Sequence, residues 1–203
     1  DFMDSQLLSI AADNESVNLD TWMGTHTHMQ YLYNKYGEQA DACIIDGTGG
    51  LFDGYRRMQG SNAETSGLLN LPVILVINAR IAGYSVAPVI YGFKNFYSGI
   101  RIAGVIFNQV SSPAHYQYLR EACADACVDC LGYLPTIESA KLPSKHSVIS
   151  LANRRALDEQ ADIIASQLEE TVDLNRMLSR CNRNFPCPYT LPYSSDMEWE
   201  PLA

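Results

Sequence analysis

Apolar and polar positions along the chain fall into two alternating textures. Four short, continuous, Val/Ile-rich runs, Ala42 to Asp46, Pro72 to Asn78, Ile102 to Asn108 and Cys130 to Leu134, read as strands covered on both faces. Elsewhere the apolar residues recur every three or four positions, which predicts helices over Thr25 to Tyr36, Asn62 to Asn70, Ser85 to Tyr97 and Pro113 to Ala126. The first of these carries Met29, Leu32, Tyr33 and Tyr36 on one face. A long last helix is expected from about Asn153 to Met177, striped by Leu157, Ala161, Ile164, Leu168 and Val172. Strands alternating with helices imply right-handed crossovers, and so an α/β fold of three layers: a mostly parallel sheet with helices on both faces.

In such sheets ligands bind outside the carboxyl ends of the strands. The polar residues that close the apolar runs are therefore the candidates: Asp46, Asn78 with Arg80, Asn108, and the Leu134-Pro135 corner, all expected to open on one edge. After Asp46 comes a turn rich in Gly, Asp and Arg, with Asp53 on it. An acid directly after an apolar strand suits a Mg²⁺ ion that neutralises phosphate charge, directly or through water, and it suits a simple turn equally.

Composition narrows the class. Of the 203 residues 47% are hydrophobic and 18% charged, which fits an ordinary globular chain rather than a disordered one. The 23 acids against 14 bases argue against nonspecific nucleic-acid binding, which needs clustered Lys and Arg. Arg154-Arg155 reads as part of a solvated helix face. No apolar run has membrane-span length and no leader-like front is seen, so a cytoplasmic protein with no membrane contact is expected. The six cysteines, Cys43, Cys123, Cys127, Cys130, Cys181 and Cys187, read as reduced thiols, those in apolar runs as core; Cys127-x-x-Cys130 has no second pair at zinc-site spacing. The sequon Asn14-Glu15-Ser16 carries no meaning in a cytosolic chain. His26-x-His28 finds no third ligand at useful spacing. The front, Asp1-Phe2-Met3-Asp4, lacks an initiator methionine and reads as a motif entered midway, as in a fragment.

Six blocks in order resemble cobyrinic acid a,c-diamide synthase, a P-loop amidoligase family of the cobalamin pathway related to dethiobiotin synthetase. They are Asp1-Phe2-Met3-Asp4; Asn18-Leu19-Asp20-Thr21-Trp22-Met23; Asp46-Gly47 through Gly50-Leu51-Phe52-Asp53-Gly54 with Gly60-Ser61-Asn62-Ala63; Val76-Ile77-Asn78-Ala79-Arg80; Ala103-Gly104-Val105-Ile106-Phe107-Asn108; and Leu131-Gly132-Tyr133-Leu134-Pro135. The resemblance covers most of residues 1 to 170. It implies a P-loop-NTPase-like sheet, with the first strand apparently missing here, and a glutamine-dependent enzyme. Using ATP and Mg²⁺, the family converts the a- and c-acetate carboxylates of a corrinoid into amides through an acyl phosphate.

The same resemblance implies the roles. Asp46 and Asp4 are the metal candidates, Asp46 standing where the family has Glu. Asp1, Asp4 and Asp53 are the catalytic candidates, the first two for metal and phosphoryl positioning and Asp53 for orienting the intermediate or the ammonia. Gly49 and Gly50 let backbone N–H groups approach phosphoryl oxygens. Ser61 is either a ligand contact or the cap of the following helix. Asn108 offers an amide to adenine, with a plain turn as its alternative. Gly54 and Arg80 fall on the substrate side, Arg80 otherwise serving as a structural ion pair. His146, in Leu142-Pro143-Ser144-Lys145-His146, falls where the family has a Leu-Pro-Glu-Arg-His block, so a substrate-side role follows only by resemblance.

No Gly-x-x-x-x-Gly-Lys-Ser/Thr occurs in the 203 residues, and no amidotransferase domain with its nucleophilic cysteine is recognised. The expectation is a synthetase-domain fragment over 1–180 and a Pro-rich linker or tail over 181–203, inactive alone, taking ammonia from an amidotransferase domain absent here. Exposed sheet edges suggest a partner strand or a homodimer. Sirohydrochlorin a,c-diamide synthase and cobyric acid synthase share the scaffold, and a noncatalytic nucleotide-binding or interaction domain is the alternative of a different class.

Overall fold

The computed structural model describes residues 2–137 and 151–182. Within them seven helices, α1 (Phe2–Ala12), α2 (His26–Gly37), α3 (Asn62–Leu69), α4 (Val86–Asn95), α5 (Pro113–Asp125), α6 (Leu151–Thr171) and α7 (Leu174–Arg180), accompany three strands, β1 (Pro72–Asn78), β2 (Arg101–Val110) and β3 (Cys130–Pro135). The chain divides into two compact units, residues 19–70 falling in one and residues 2–18 with 71–182 in the other. Asp1, His146, Cys187 and the Pro-rich stretch from 183 onward lie outside the described residues.

The larger unit is an α/β sandwich. Its strands run parallel in the order β1-β2-β3, as expected of βαβ crossovers through α4 and α5. Successive residues of a strand face opposite sides of a sheet. Ile106 joins Leu131 and Val172 in a cluster packed by Leu168, Leu174 and Met177 from α6 and α7. Its neighbours Val105 and Phe107, pointing the other way, are fully buried too, on the side where α4 and α5 pack. The sheet is thus covered on both faces around β2, the arrangement its continuous apolar run predicts.

The predicted long terminal helix is a correction: it breaks at Val172. There Asp173 N–H donates to Leu131 O at 2.8 Å and Val172 bridges Gly132. The crossing is possible because a Cβ at Gly132, φ +148°, would strike the backbone of Thr171 and Val172. The Asp173 side chain accepts from Arg176 N–H and caps the new helix α7. A stripe at helical spacing reports burial but not a strand ladder cutting across it.

The predicted strand over Ala42 to Asp46 is a second correction. Residues 42–48 are irregular and exposed, with Ile44 at 90%. Among the described residues no strand lies beside them, and a strand without a neighbour leaves its N–H and C=O groups to water. In the same smaller unit α2 and α3 pack together, with Met29, Tyr33, Ala63 and Leu69 buried. Two of the supposed core thiols are corrected as well: Cys43 and Cys127 are exposed. Cys43 lies in the segment that forms no strand, and Cys127 follows the end of α5 with φ +52°, turned off the buried face of that helix.

Candidate functional site

In the smaller unit, residues 46–64 form a loop held by its own backbone. Gly49 has φ +79°, strained for any residue with a Cβ. Gly50 O accepts from Asp53 N–H at 3.2 Å, and the Asp53 carboxylate folds back against Gly50, where a side chain would collide with it. Gly54 N–H donates to Arg57 O at 2.7 Å and Tyr55 N–H to Gln59 O at 3.0 Å, closing a tight hairpin. Two bonds moor the loop to α3: Ala63 N–H to Leu51 O at 2.9 Å, and Asn62 Nδ2 to Thr48 O at 3.0 Å. Asp46, Asp53, Tyr55, Arg56 and Arg57 are all exposed on this scaffold. It presents two carboxylates and two guanidinium groups to solvent, the equipment for meeting a charged ligand.

Ser61 is 1% exposed, and its Oγ accepts from Glu64 N–H at 3.2 Å as the N-cap of α3. Of the two roles open to it in the sequence, the structure supplies the cap. The Glu64 carboxylate accepts in turn from Gly60 N–H and from Thr21 Oγ1, and lies 3.4 Å from His26 Nε2. His26 therefore belongs to the mooring of α3. Asp20 Oδ1 accepts from Trp22 N–H at 2.7 Å and fixes the turn that leads into α2. Trp22 meets Tyr55 edge-on with ring centroids 4.5 Å apart, leaving an exposed aromatic pair beside the loop.

The larger unit carries its own set of polar groups at the carboxyl edge of the sheet. Asn78 pairs with Asn108 in register, and Val110 with Pro135. Ala79 N–H donates to Asn108 O at 2.8 Å. Asn78 Oδ1 accepts from Arg80 N–H at 3.0 Å, and Asn108 Oδ1 from Gln109 N–H at 2.9 Å. Gln109 takes φ +60° at the irregularity in the ladder between Phe107 and Val110. Arg80 is exposed and its guanidinium has no ion-pair partner among the described residues, so the structural ion pair is the alternative that receives no support. His115 ties the edge together: its ring Nε2 lies 2.6 Å from Ala82 O and its Nδ1 3.0 Å from Ser111 Oγ. The Tyr84 hydroxyl donates to the Asp125 carboxylate, which holds the phenol above its ordinary range.

The structure thus places Asp46, Gly49, Gly50, Asp53, Gly54 and Ser61 on one loop and its helix, and Arg80 and Asn108 on one sheet edge. Asp4 lies in α1. Among the described residues no group of three or more His, Cys, Asp or Glu side chains could hold a metal ion. Asp46 offers a single carboxylate, which fits Mg²⁺ only as one ligand among waters. The sequence assigned no role to His115, Asn62 or Asp20. Each acts by fixing a loop, and short-range signals existed for two of them: Asp20 two residues before Trp22 makes an Asx turn, and Ser111-Ser112 before Pro113 marks a helix start.

A family model described as an AAA domain matches residues 3–144. Three relatives named cobyrinate a,c-diamide synthase illustrate the similarity. That of Dehalococcoides mccartyi is 34% identical over 95% of this chain and 43% of its own length. That of Saccharolobus solfataricus is 33% identical over 87% of this chain and 40% of its own. That of Gloeobacter violaceus is 36% identical over 88% and 40%. The chain therefore spans less than half the length of the curated relatives it matches. No solved structure matches it. No described helix is long and apolar enough to cross a membrane.

Proposed function

Because the chain belongs to the AAA domain family, we propose that it is part of a P-loop amidoligase that converts side-chain carboxylates of a corrinoid, cobyrinic acid, into amides. The observation that carries this reading is similarity over about nine-tenths of the chain to proteins named for a,c-diamide synthesis of cobyrinate. In the proposed reaction a substrate carboxylate is phosphorylated by ATP, and ammonia released from glutamine displaces phosphate. Mg²⁺ supplies charge neutralisation when two anions are brought together.

The residues of this chain suit the protein's share of that work. Asp46 is the carboxylate proposed for the metal. Asp53, held against Gly50, is proposed to orient the acyl phosphate or the incoming ammonia. Arg56 and Arg57, exposed on the same hairpin, suit the remaining carboxylates of a polyacid substrate. Arg80, unpaired at the sheet edge, is proposed for the same class of group, and the Asn108 amide for adenine. Gly49 and Gly50 are proposed to let backbone N–H groups approach phosphoryl oxygens, the N–H groups of Gly54 and Gly60 being donated to Arg57 O and the Glu64 carboxylate.

The test is amide formation by the full-length protein from cobyrinic acid, glutamine, ATP and Mg²⁺, read by mass spectrometry. Asp53→Asn should lower kcat by about 10²-fold or more, the scale of losing one preorganised group at a reacting centre. Unchanged turnover in that variant would end the assignment of Asp53. The 203-residue chain alone, which contains no Gly-x-x-x-x-Gly-Lys-Ser/Thr, is expected to release phosphate no faster than buffer. A noncatalytic nucleotide-binding domain is the second reading. Calorimetry separates the two: the ligase reading expects corrinoid heat from the chain, the other expects none.

A further inference from the structure

Two aromatic residues of the smaller unit stand in solvent although both are held in place. Trp22 is 68% and Tyr55 56% exposed, with ring centroids 4.5 Å apart and planes at 78°. Edge-on contact covers little of either ring, so more than half of each residue stays open to a third group. Met23, next in the chain, is 79% exposed. Single exposed apolar residues are ordinary, but adjoining ones, with two rings already in contact, mark a binding surface.

Both rings sit on fixed backbone. Asp20 Oδ1 accepts from the N–H groups of Trp22 at 2.7 Å and Met23 at 3.4 Å, and Asp20 O accepts from Gly24 N–H at 3.0 Å. Thr21 Oγ1 donates to the Glu64 carboxylate at 3.4 Å, and the same carboxylate accepts from Gly60 N–H. Glu64 therefore moors the turn that carries Trp22 and the end of the hairpin that carries Tyr55. In that hairpin Tyr55 N–H donates to Gln59 O at 3.0 Å. The Tyr55 ring lies against Gly60, where a Cβ would come within 2.9 Å of Cδ1. Rings held this way lose little freedom when a ligand covers them.

Charge narrows the ligand. Arg56 and Arg57 follow Tyr55 directly, both exposed, and neither makes an ion pair among the described residues. Arg57 takes φ +56° in the hairpin. Exposed rings beside two unpaired guanidinium groups suit a molecule that is apolar across one face and acidic at its rim.

We propose, resting on the amidoligase reading above, that Trp22 and Tyr55 are the platform for the apolar face of the corrin macrocycle, with Arg56 and Arg57 meeting carboxylates on its rim. Contact with the rings fixes the plane of the macrocycle, and the guanidinium groups fix its rotation in that plane. An acyclic polyacid meets the arginines alone, so the platform is what separates a tetrapyrrole from other polyacids. Neither ring touches a reacting bond. Both act on substrate affinity.

The test uses the full-length protein and reads amide formation by mass spectrometry over a range of cobyrinic acid concentrations. Trp22→Ala and Tyr55→Ala should each raise the KM for cobyrinic acid about tenfold, the scale of one lost stacked ring. The kcat and the KM for ATP should stay within about twofold, because what is lost is uniform binding. Trp22→Phe should restore most of the affinity. A corrinoid whose acids are all amides, used as a competitive inhibitor, should lose a similar factor of potency in Trp22→Ala and little in Arg56→Gln. In the unaltered protein cobyrinic acid should protect Trp22 and Tyr55 from hydroxyl-radical oxidation, a readout that needs no variant to fold. Amide formation with an unchanged KM in both alanine variants, or without protection of the two rings, would overturn the platform and leave the amidoligase reading standing. No amide from cobyrinic acid by the unaltered protein would overturn that reading, and the platform's ligand with it. A dimer that dissociates in Trp22→Ala at unchanged KM would give the patch to a second copy of the chain, and would overturn the platform as well.

Discussion

Residues 43–45 and residues 103–107 have the same apolar texture, yet they meet opposite fates. The second run forms the middle of β2, with β1 on one side and β3 on the other, and Phe107 is fully buried. The first has no neighbouring strand among the described residues and stays irregular, its Ile44 almost wholly exposed. β1 stands between these cases: among the described residues it is paired along one edge, and its Val76 is 66% exposed. Texture therefore states what a segment is able to become, and the number of neighbours decides whether it does. The ladder is a long-range property, since each strand's N–H and C=O groups must find partners on another segment.

The largest effect that would test this contrast lies at Phe107. Phe107→Ala removes a ring with no exposure from the two-sided strand, and should destabilise the larger unit by about 3–5 kcal/mol, seen as a shift of the urea midpoint. A cost under about 1 kcal/mol would mean that the centre of the sheet is no better packed than its edge.

The same contrast explains how much of the molecule was legible in advance. The three runs that became strands and four of the helices stand where periodicity put them, within a few residues, because two-sided burial writes itself into local composition. The stripe Leu157, Ala161, Ile164, Leu168 and Val172 does face the core, yet the helix under it breaks at Val172, because Gly132 on another strand receives the crossing backbone. No pattern within residues 153 to 177 records that. At the candidate site, the loop from Asp46 to Ser61 was visible as glycines and acids, and Ser61 was legible as a cap from the Glu64 three residues on. His115 was only half legible: its partner Ser111 lies at the start of the same helix, but Ala82 belongs to a distant segment.

Smaller effects sharpen the comparison at places where one segment fixes another. Ser61→Ala deletes the oxygen that caps α3, and should lower stability by about 1 kcal/mol, with Ser61→Asp restoring most of it. No loss in Ser61→Ala would move the anchoring of α3 to Asn62 and Ala63. Asp129→Asn separates the turn before β3 from α7, where Asp129 meets Arg176 at 2.5 Å and Arg180 at 2.6 Å. Both arginines are half-exposed, so the cost should be no more than about 1 kcal/mol. It should shrink further as salt is raised. A salt-independent loss would point to the turn's backbone geometry instead of its charges.

The smallest effect is the most discriminating, because two views of the 43–45 run disagree about it. If the run were a strand held in a sheet, Ile44→Ser would place a hydroxyl in an apolar layer and cost several kcal/mol. With Ile44 in solvent, the substitution removes nothing from the core, and stability should change by less than about 0.5 kcal/mol. Hydrogen exchange reads the same question without any substitution. Amides of residues 42–46 should exchange close to the unstructured rate, while those of Val105 to Phe107, bonded into the ladder on both sides, should be the slowest in the chain. Protection at 43–45 together with a neutral Ile44→Ser would mean that backbone pairing had been found there without burial, as at a sheet edge. The exposed face of β1 at Val76 would then be the nearer analogue of this run than the covered centre of β2.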